Sequence, residues 1–219
     1  MGKTKIAGDL WVPERIETAA DLAAGAAVLV ARAPDFVPVL ARVGDVPLRR
    51  QPDGFAALLA AIVGQQISTA AAQTIWARLA AAGLDQAPAL RAAPDAVLRK
   101  AGLSRRKIAY AKGLALADLD YAALRTAPCD AVIERLVALP GVGRWTAEIY
   151  ACFALGHVDV FPAGDLALQV AAARAFGLPA RPSERALRQM AEPWAPVRAV
   201  AARALWAYYR VTHKPEGIG

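Results

Sequence analysis

Leu139-Pro140-Gly141-Val142-Gly143-Arg144-Trp145-Thr146 decides the reading of this chain. A helical run, residues 131–139, enters it and a second leaves it. Two glycines one residue apart, between two helices, permit a tight turn with exposed backbone N–H groups. Those groups and the N-terminus of the following helix make a site for an anionic oxygen. A DNA phosphate is the candidate, because such contacts position a protein without reading sequence. Two other readings compete. Gly141-Val142-Gly143 starts like a dinucleotide fingerprint, but that motif needs a preceding strand and a third glycine. Here the preceding segment is helical and the later position is Thr146. The plainer alternative is a glycine-rich helix connection with no ligand.

Outward from the hairpin, the pattern is helical almost everywhere. Apolar residues recur at spacings of three and four, alanine dominates, and alternating β-branched runs are short. Polar caps mark helix starts: Asp53, Ser68, Ser104, Asp130, Gly164 or Asp165, and Ser183 with Glu184. A short helix opens at Pro94-Asp95 and stops at Gly102; Gly83 and Gly177-Leu178-Pro179 end two others. Pro196 suits the first turn of a last helix. About ten helices result, joined by loops of the length bundles use. The first fifty residues read as helical too. No βαβ alternation and no fixed-period repeat is present, which argues against a parallel sheet or a solenoid.

Composition sets the outer bounds. The chain has 219 residues, 57% hydrophobic and 21% charged, enough apolar material for a packed core; a disordered or collagen-like chain is excluded. Cys129 and Cys152 are too few for a disulfide framework or a four-thiolate cluster, and they suggest a reducing compartment. His157 and His213 stand outside any zinc-ligand pattern. No uncharged apolar run reaches the ~18 residues of a membrane span. Residues 1–15 lack the apolar stretch of a signal peptide, so a cytoplasmic, nucleoid-associated protein is expected. The net charge of +7 favours a polyanionic partner. Twenty of the twenty-six cations are Arg, however, in an alanine-rich chain, a bias that GC-rich coding alone can produce.

Five stretches, in order, resemble the helix–hairpin–helix DNA glycosylase superfamily. They are Ile62-Val63-Gly64-Gln65-Gln66-Ile67-Ser68, Gly102-Leu103-Ser104-Arg105-Arg106-Lys107, the hairpin itself, Val160-Phe161-Pro162-Ala163-Gly164-Asp165, and Trp194-Ala195-Pro196-Val197-Arg198 through Trp206. The last is similar to the C-terminal motif of the 3-methyladenine DNA glycosylase II group. The resemblance implies an all-α fold of two helical lobes with a DNA-binding cleft between them. About 45–160 would form a central lobe ending in the helix–hairpin–helix, and 1–44 with 161–219 a terminal lobe. The extra N-terminal β-rich domain of better-known members should be absent, since only about fifty residues precede the first motif. The implied activity is that of a monofunctional glycosylase. It would excise alkylated bases (3-methyladenine, 7-methylguanine, and in a more open pocket ethenoadenine) as the first step of base excision repair. A glycosylase for a deaminated or oxidised base, a non-catalytic DNA-binding module and a helical interaction scaffold are the alternatives.

The chemistry then selects residues. The base must leave the stack before its bond can be reached, and cleavage develops positive charge on the sugar. A fixed carboxylate stabilises that charge and orients or deprotonates water. By the resemblance Asp165 supplies it; as a residue type Asp165 is also a good helix cap, and both roles can coexist. Asp159 is a nearby rival without the motif match. Trp145 stands where strand-nicking relatives carry a Lys, and a tryptophan forms no Schiff base. No Lys lies between 113 and 213. Trp145, Trp206 and Ile149 match pocket positions, where aromatic faces stack on flipped, cationic bases; the alternative places both Trp in the core. Tyr150, Tyr208 and Tyr209 read as packing or rim residues. The wedge that fills the vacated stack falls on Gln66, which intercalates less favourably than an apolar side chain. Gln65, Gln66, Ser68, Arg105, Lys107, Gly141, Gly143, Arg144 and Thr146 are the expected DNA contacts. Ser68 is equally a cap, and the 105–107 run equally a solvated turn. No organic cofactor or catalytic metal is expected; a monovalent cation on hairpin carbonyls near Leu139 and Val142 is an option the resemblance allows. Duplex DNA carrying a damaged base is the expected partner, and a monomer the expected state.

Overall fold

The computed structural model describes residues 3–5, as backbone only, and 11–213. What was expected of residues 1–2, 6–10 and 214–219 lies outside the described residues. Two compact units partition the chain: 51–150 form one, and 1–50 with 151–219 the other. The sequence had suggested 45–160 for the central piece. Thirteen α-helices and two single 3-10 turns are present among the described residues, where about ten helices were expected.

The first fifty residues are not all helical. Strands β1 (Lys3–Lys5) and β2 (Trp11–Pro13) pair antiparallel, with Thr4 opposite Val12. Trp11 is exposed while Val12 and Pro13 are buried; an aromatic and a β-branched residue favour extended chain. Helix α1 (Ala19–Arg32) starts at Thr18, whose hydroxyl and the Asp21 carboxylate form a reciprocal capping box. It buries Leu22, Val28 and Leu29. Helix α2 (Val37–Val43) follows a 3-10 turn at Pro34–Phe36.

The central unit holds α3 (Phe55–Gly64), α4 (Thr69–Ala81), α5 (Ala87–Ala92), α6 (Asp95–Ala101), α7 (Arg105–Leu116), α8 (Tyr121–Thr126) and α9 (Cys129–Val137). It also holds the start of α10 (Arg144–Phe153). Ser68, Ser104 and Asp120 cap α4, α7 and α8 through their side chains. Gly102 ends α6 in the left-handed conformation, as a glycine there can. Two expected caps are corrected. Asp53 does not cap α3: its carboxylate pairs with the Arg125 guanidinium, and Gly54 takes the cap position. Its N–H donates to the Tyr150 hydroxyl at 2.9 Å. Helix α9 starts before Asp130, directly after Pro128, because proline breaks the preceding helix but tolerates the start of the next.

The second unit is completed by α11 (Leu166–Ala175), α12 (Glu184–Met190), a 3-10 turn (Glu192–Trp194) and α13 (Arg198–Thr212). Pro196 falls two residues before α13 rather than in its first turn. There Arg198 donates its backbone N–H to Asp159 at 3.2 Å, so a side chain from another segment caps the helix. Phe36, Phe161 and Phe176 converge on Trp194 with ring centroids 5.0–5.8 Å apart. The Phe36 and Phe161 contacts are edge-on and the Phe176 contact tilted; edge-on pairs add to plain apolar burial. No described helix is long and apolar enough to cross a membrane.

Candidate functional site

In the central unit the hairpin is built on Gly141, whose φ is +86°. A Cβ there would collide with the ring base of Tyr110, so both conformation and space demand glycine. Gly143 differs: a Cβ at that position would meet nothing within 4 Å. The fold does not need the room at Gly143, which leaves its backbone approachable from outside. The Val142 N–H donates to the Leu139 carbonyl at 3.1 Å, closing the turn. A carbonyl has two acceptor sites, so this bond does not exhaust Leu139 as a cation ligand.

Two expected DNA contacts spend their side chains inside the unit. The Gln65 amide donates to the Gly141 carbonyl at 2.8 Å, and the Lys107 ammonium to the Val63 carbonyl at 2.6 Å. Together they tie the end of α3 to the hairpin and to α7. Partial burial holds the Lys107 pKa below the ordinary lysine range. The triplet 105–107 thus divides. Arg105 is exposed; Arg106 bonds to the Tyr110 hydroxyl and lies over its ring, 5.4 Å from the centroid; Lys107 turns inward. Arg144 is exposed and donates to the buried Glu148 carboxylate one turn on, at 2.9 Å. Ser68 accepts from Ala71 N–H as a cap.

A cavity of about 760 Å³ opens beside the hairpin. Ala56, Ala57, Ala60 and Ala61 of α3 form one wall, and Trp145, Thr146 and Ile149 of α10 another. Gln65 and Gln66 stand at its edge, with Trp76 of α4. Such a volume suits a small organic ligand. Trp145 is 44% exposed, so it is not a core residue; Thr146 is buried. Gln66 is exposed with φ of +58°, a conformation costly for a residue with a Cβ and often kept at functional sites. A second concavity, about 570 Å³, lies on the hairpin side and is lined by Ser104, Arg106, Lys107, Tyr110 and Gly143.

In the other unit, Asp165 ends the Pro162-Ala163-Gly164 turn and caps α11. Its Oδ1 accepts the Leu168 N–H at 3.1 Å and the Trp206 indole N–H at 3.0 Å. The turn before it is held on both sides: the buried Gln169 amide donates to the Ala163 carbonyl at 2.9 Å, and Arg188 to the Phe161 carbonyl at 3.3 Å. The Trp206 ring lies against Phe153, centroids 5.2 Å apart. Asp159 is engaged differently, in a two-pronged pair with Arg198 at 2.7 and 2.8 Å. Tyr150, of the central unit, is buried and its hydroxyl pKa is raised, chiefly by that burial. Tyr208 and Tyr209 are half-buried.

The structure therefore gathers Gln65, Gln66, Trp145, Thr146 and Ile149 around one cavity, and pairs Asp165 with Trp206. The sequence reading missed Trp76, which at helical spacing looks like core, and Tyr110, whose ring fixes Gly141. Among the described residues no group of three or more His, Cys, Asp or Glu could hold a metal ion.

Known proteins resemble this one over most of its length. A probable bifunctional transcriptional activator/DNA repair enzyme AlkA of Mycobacterium tuberculosis is 35% identical over 79% of the chain and 37% of its own length. The chain therefore spans little more than a third of that relative. DNA-3-methyladenine glycosylase 1 of Schizosaccharomyces pombe is 31% identical over 68% of the chain and 69% of its own. A crystal structure of a DNA-3-methyladenine glycosidase from Bacillus halodurans matches with a TM-score of 0.78 and 33% identity, covering 84% of this chain and 88% of that one. Residues 59–196 match the model of the HhH-GPD superfamily of base excision DNA repair proteins. With more than half of its length inside that match, the chain belongs to the HhH-GPD superfamily.

Proposed function

We propose that the protein is a monofunctional DNA glycosylase that excises alkylated bases, 3-methyladenine and 7-methylguanine among them, by hydrolysing the N-glycosidic bond. The observation that carries this reading is the fixed carboxylate of Asp165, held through Oδ1 by a helix cap and by the Trp206 indole. Positive charge develops on the sugar as the bond breaks, and a preoriented carboxylate stabilises it without having to reorganise. Asp165 also orients or deprotonates the attacking water. The proton reaching the departing base depends on the lesion: a ring-alkylated base already carries positive charge and leaves neutral.

Trp145 and Ile149 bind the flipped base, and the alanine wall of α3 leaves width for an added ring such as that of ethenoadenine. The alkylated-base assignment draws on relatives named for 3-methyladenine. Trp145 offers no amine where lyase-type relatives carry a lysine, and 113–213 contain none; the expected product is an intact abasic strand. Backbone N–H groups at Gly141 and Gly143, with Arg105 and Arg144, contact phosphate. Gln66 fills the vacated stack. The protein acts as a monomer on duplex DNA.

Duplexes carrying one 3-methyladenine analogue, ethenoadenine, hypoxanthine or uracil test this. Base release by wild type, strand breaks only after alkali, and loss of release in Asp165→Asn are expected. Release of hypoxanthine or uracil alone would move the substrate to deaminated bases. Tight duplex binding with no release of any base would leave a DNA-binding module.

A further inference from the structure

In the unit formed by 1–50 and 151–219, three arginines collect beside Trp206. Arg49, Arg203 and Arg210 line one crevice with Pro47, Phe153 and Trp206, too narrow to admit a water molecule, so an anion is met at its mouth by the exposed Arg49 and Arg210. Arg203 is its floor. The residue is 2% exposed; its guanidinium lies 4.5 Å from the Phe153 centroid and donates to the Cys152 and Leu48 carbonyls at 2.8 and 2.9 Å. Its Nε–H is buried with no partner among the described residues. Arg49 and Arg210 are exposed. Arg49 is held at φ +46°, a strained conformation for a residue with a Cβ. Arg203 fixes the carbonyl of the preceding residue, Leu48, and so aims Arg49.

Like charges this close oppose one another. The neighbouring Arg210 and Arg203 charges, after burial, hold Arg49 below the ordinary arginine range. No ion pair to a carboxylate involves Arg49, Arg203 or Arg210 among the described residues. A cationic cluster without a counter-charge costs stability unless an anion supplies it. Arginine forks match phosphate in geometry as well as charge.

We propose that Arg49 and Arg210, seated on the buried Arg203, form a phosphate-binding site for a backbone phosphodiester of the DNA strand beside Asp165, separate from the hairpin. Trp206 is the link: it lines the crevice and donates to Asp165. A phosphate held here fixes the strand relative to the carboxylate, which the hairpin, in the other unit, does not do alone. The site rests on the reading of the protein as a DNA-processing enzyme, but not on base release.

The test is a salt titration of affinity for a duplex with an uncleavable abasic-site analogue. Wild type, Arg49→Gln/Arg210→Gln and Arg32→Gln are compared; Arg32 is an exposed arginine of α1 that controls for loss of a surface cation outside the crevice. Removing one phosphate contact lowers the slope of log K against log salt by about 0.9. That drop is expected in the double variant and not in Arg32→Gln. Replacing the phosphodiesters flanking the abasic site, one at a time, by neutral methylphosphonate should weaken wild type at one linkage and leave the double variant indifferent there. Equal slopes in all three proteins overturn the proposal. So does inorganic phosphate that binds wild type and not the double variant while the duplex slopes stay equal, which would make the site one for free phosphate. If the slope drops as expected in a protein that releases no base, the phosphate site stands and the glycosylase reading falls.

Discussion

The indole N–H of Trp206 donates to Oδ1 of Asp165 at 3.0 Å, on the same oxygen that caps α11 through Leu168. Two donors from different elements thus fix one carboxylate, the first from α13 and the second from α11 itself. Trp206 was expected as a base-stacking wall; its polar edge is engaged as a support. In Trp206→Phe the packing against Phe153 can persist while the bond is lost. A hydrogen bond to a charged group is worth ~1.5–3 kcal/mol. If that support is felt in the transition state, single-turnover base release should slow by about tenfold or more, with affinity for undamaged duplex unchanged. An unaltered rate would mean the cap alone positions Asp165.

Cap and catalyst can be separated at Asp165. Asparagine caps a helix about as well as aspartate, whereas alanine costs ~1 kcal/mol. Asp165→Asn should therefore keep wild-type stability and lose base release. Asp165→Ala should lose release and also ~1 kcal/mol or more, since the Trp206 N–H loses its acceptor too. Urea unfolding beside a release assay reads both. If both variants stay active, Asp165 is a cap only.

The hairpin, the caps at Ser68, Ser104, Asp165 and Ser183, and the helical class were legible because glycine, serine and aspartate act locally. What long-range contacts decide was not legible. Asp53 looks like a cap until Arg125, seventy-two residues on, takes its carboxylate. Lys107 and Gln65 look like surface contacts until the carbonyls of Val63 and Gly141 claim them. Arg203 sits in an alanine-rich helix with nothing in its neighbours to announce burial. Its partners, Leu48 and Cys152, are 155 and 51 residues away.

The two hairpin glycines should fail in different ways. At Gly141 a side chain meets both a φ of +86° and the Tyr110 ring. The left-handed conformation alone costs ~1–2 kcal/mol, so Gly141→Ala should lower stability by at least that and weaken duplex binding with it. At Gly143 there is open space, and Gly143→Ala should unfold within ~0.5 kcal/mol of wild type. If a phosphate approaches that backbone, its methyl group should still reduce duplex affinity several-fold. Full affinity in Gly143→Ala would remove Gly143 from the phosphate contact.

His157 gives the fold an acid sensitivity. It is buried, its Nε2 has no partner among the described residues, and it faces Arg15 across an isolated antiparallel bridge. Burial first, and the Arg15 charge second, push its pKa down from 6.5 to about 4. Between those values the unfolded chain binds a proton that the folded chain refuses. Stability therefore falls as pH drops below about 6.5, and this contribution levels off below about 4. The full effect is on the order of 3 kcal/mol. Urea unfolding at pH 7.5, 6 and 5 should show wild type losing stability over this range. In His157→Gln the loss should be smaller, the remainder coming from carboxylates that titrate lower. Parallel losses in the two proteins would mean His157 already titrates normally in the folded state.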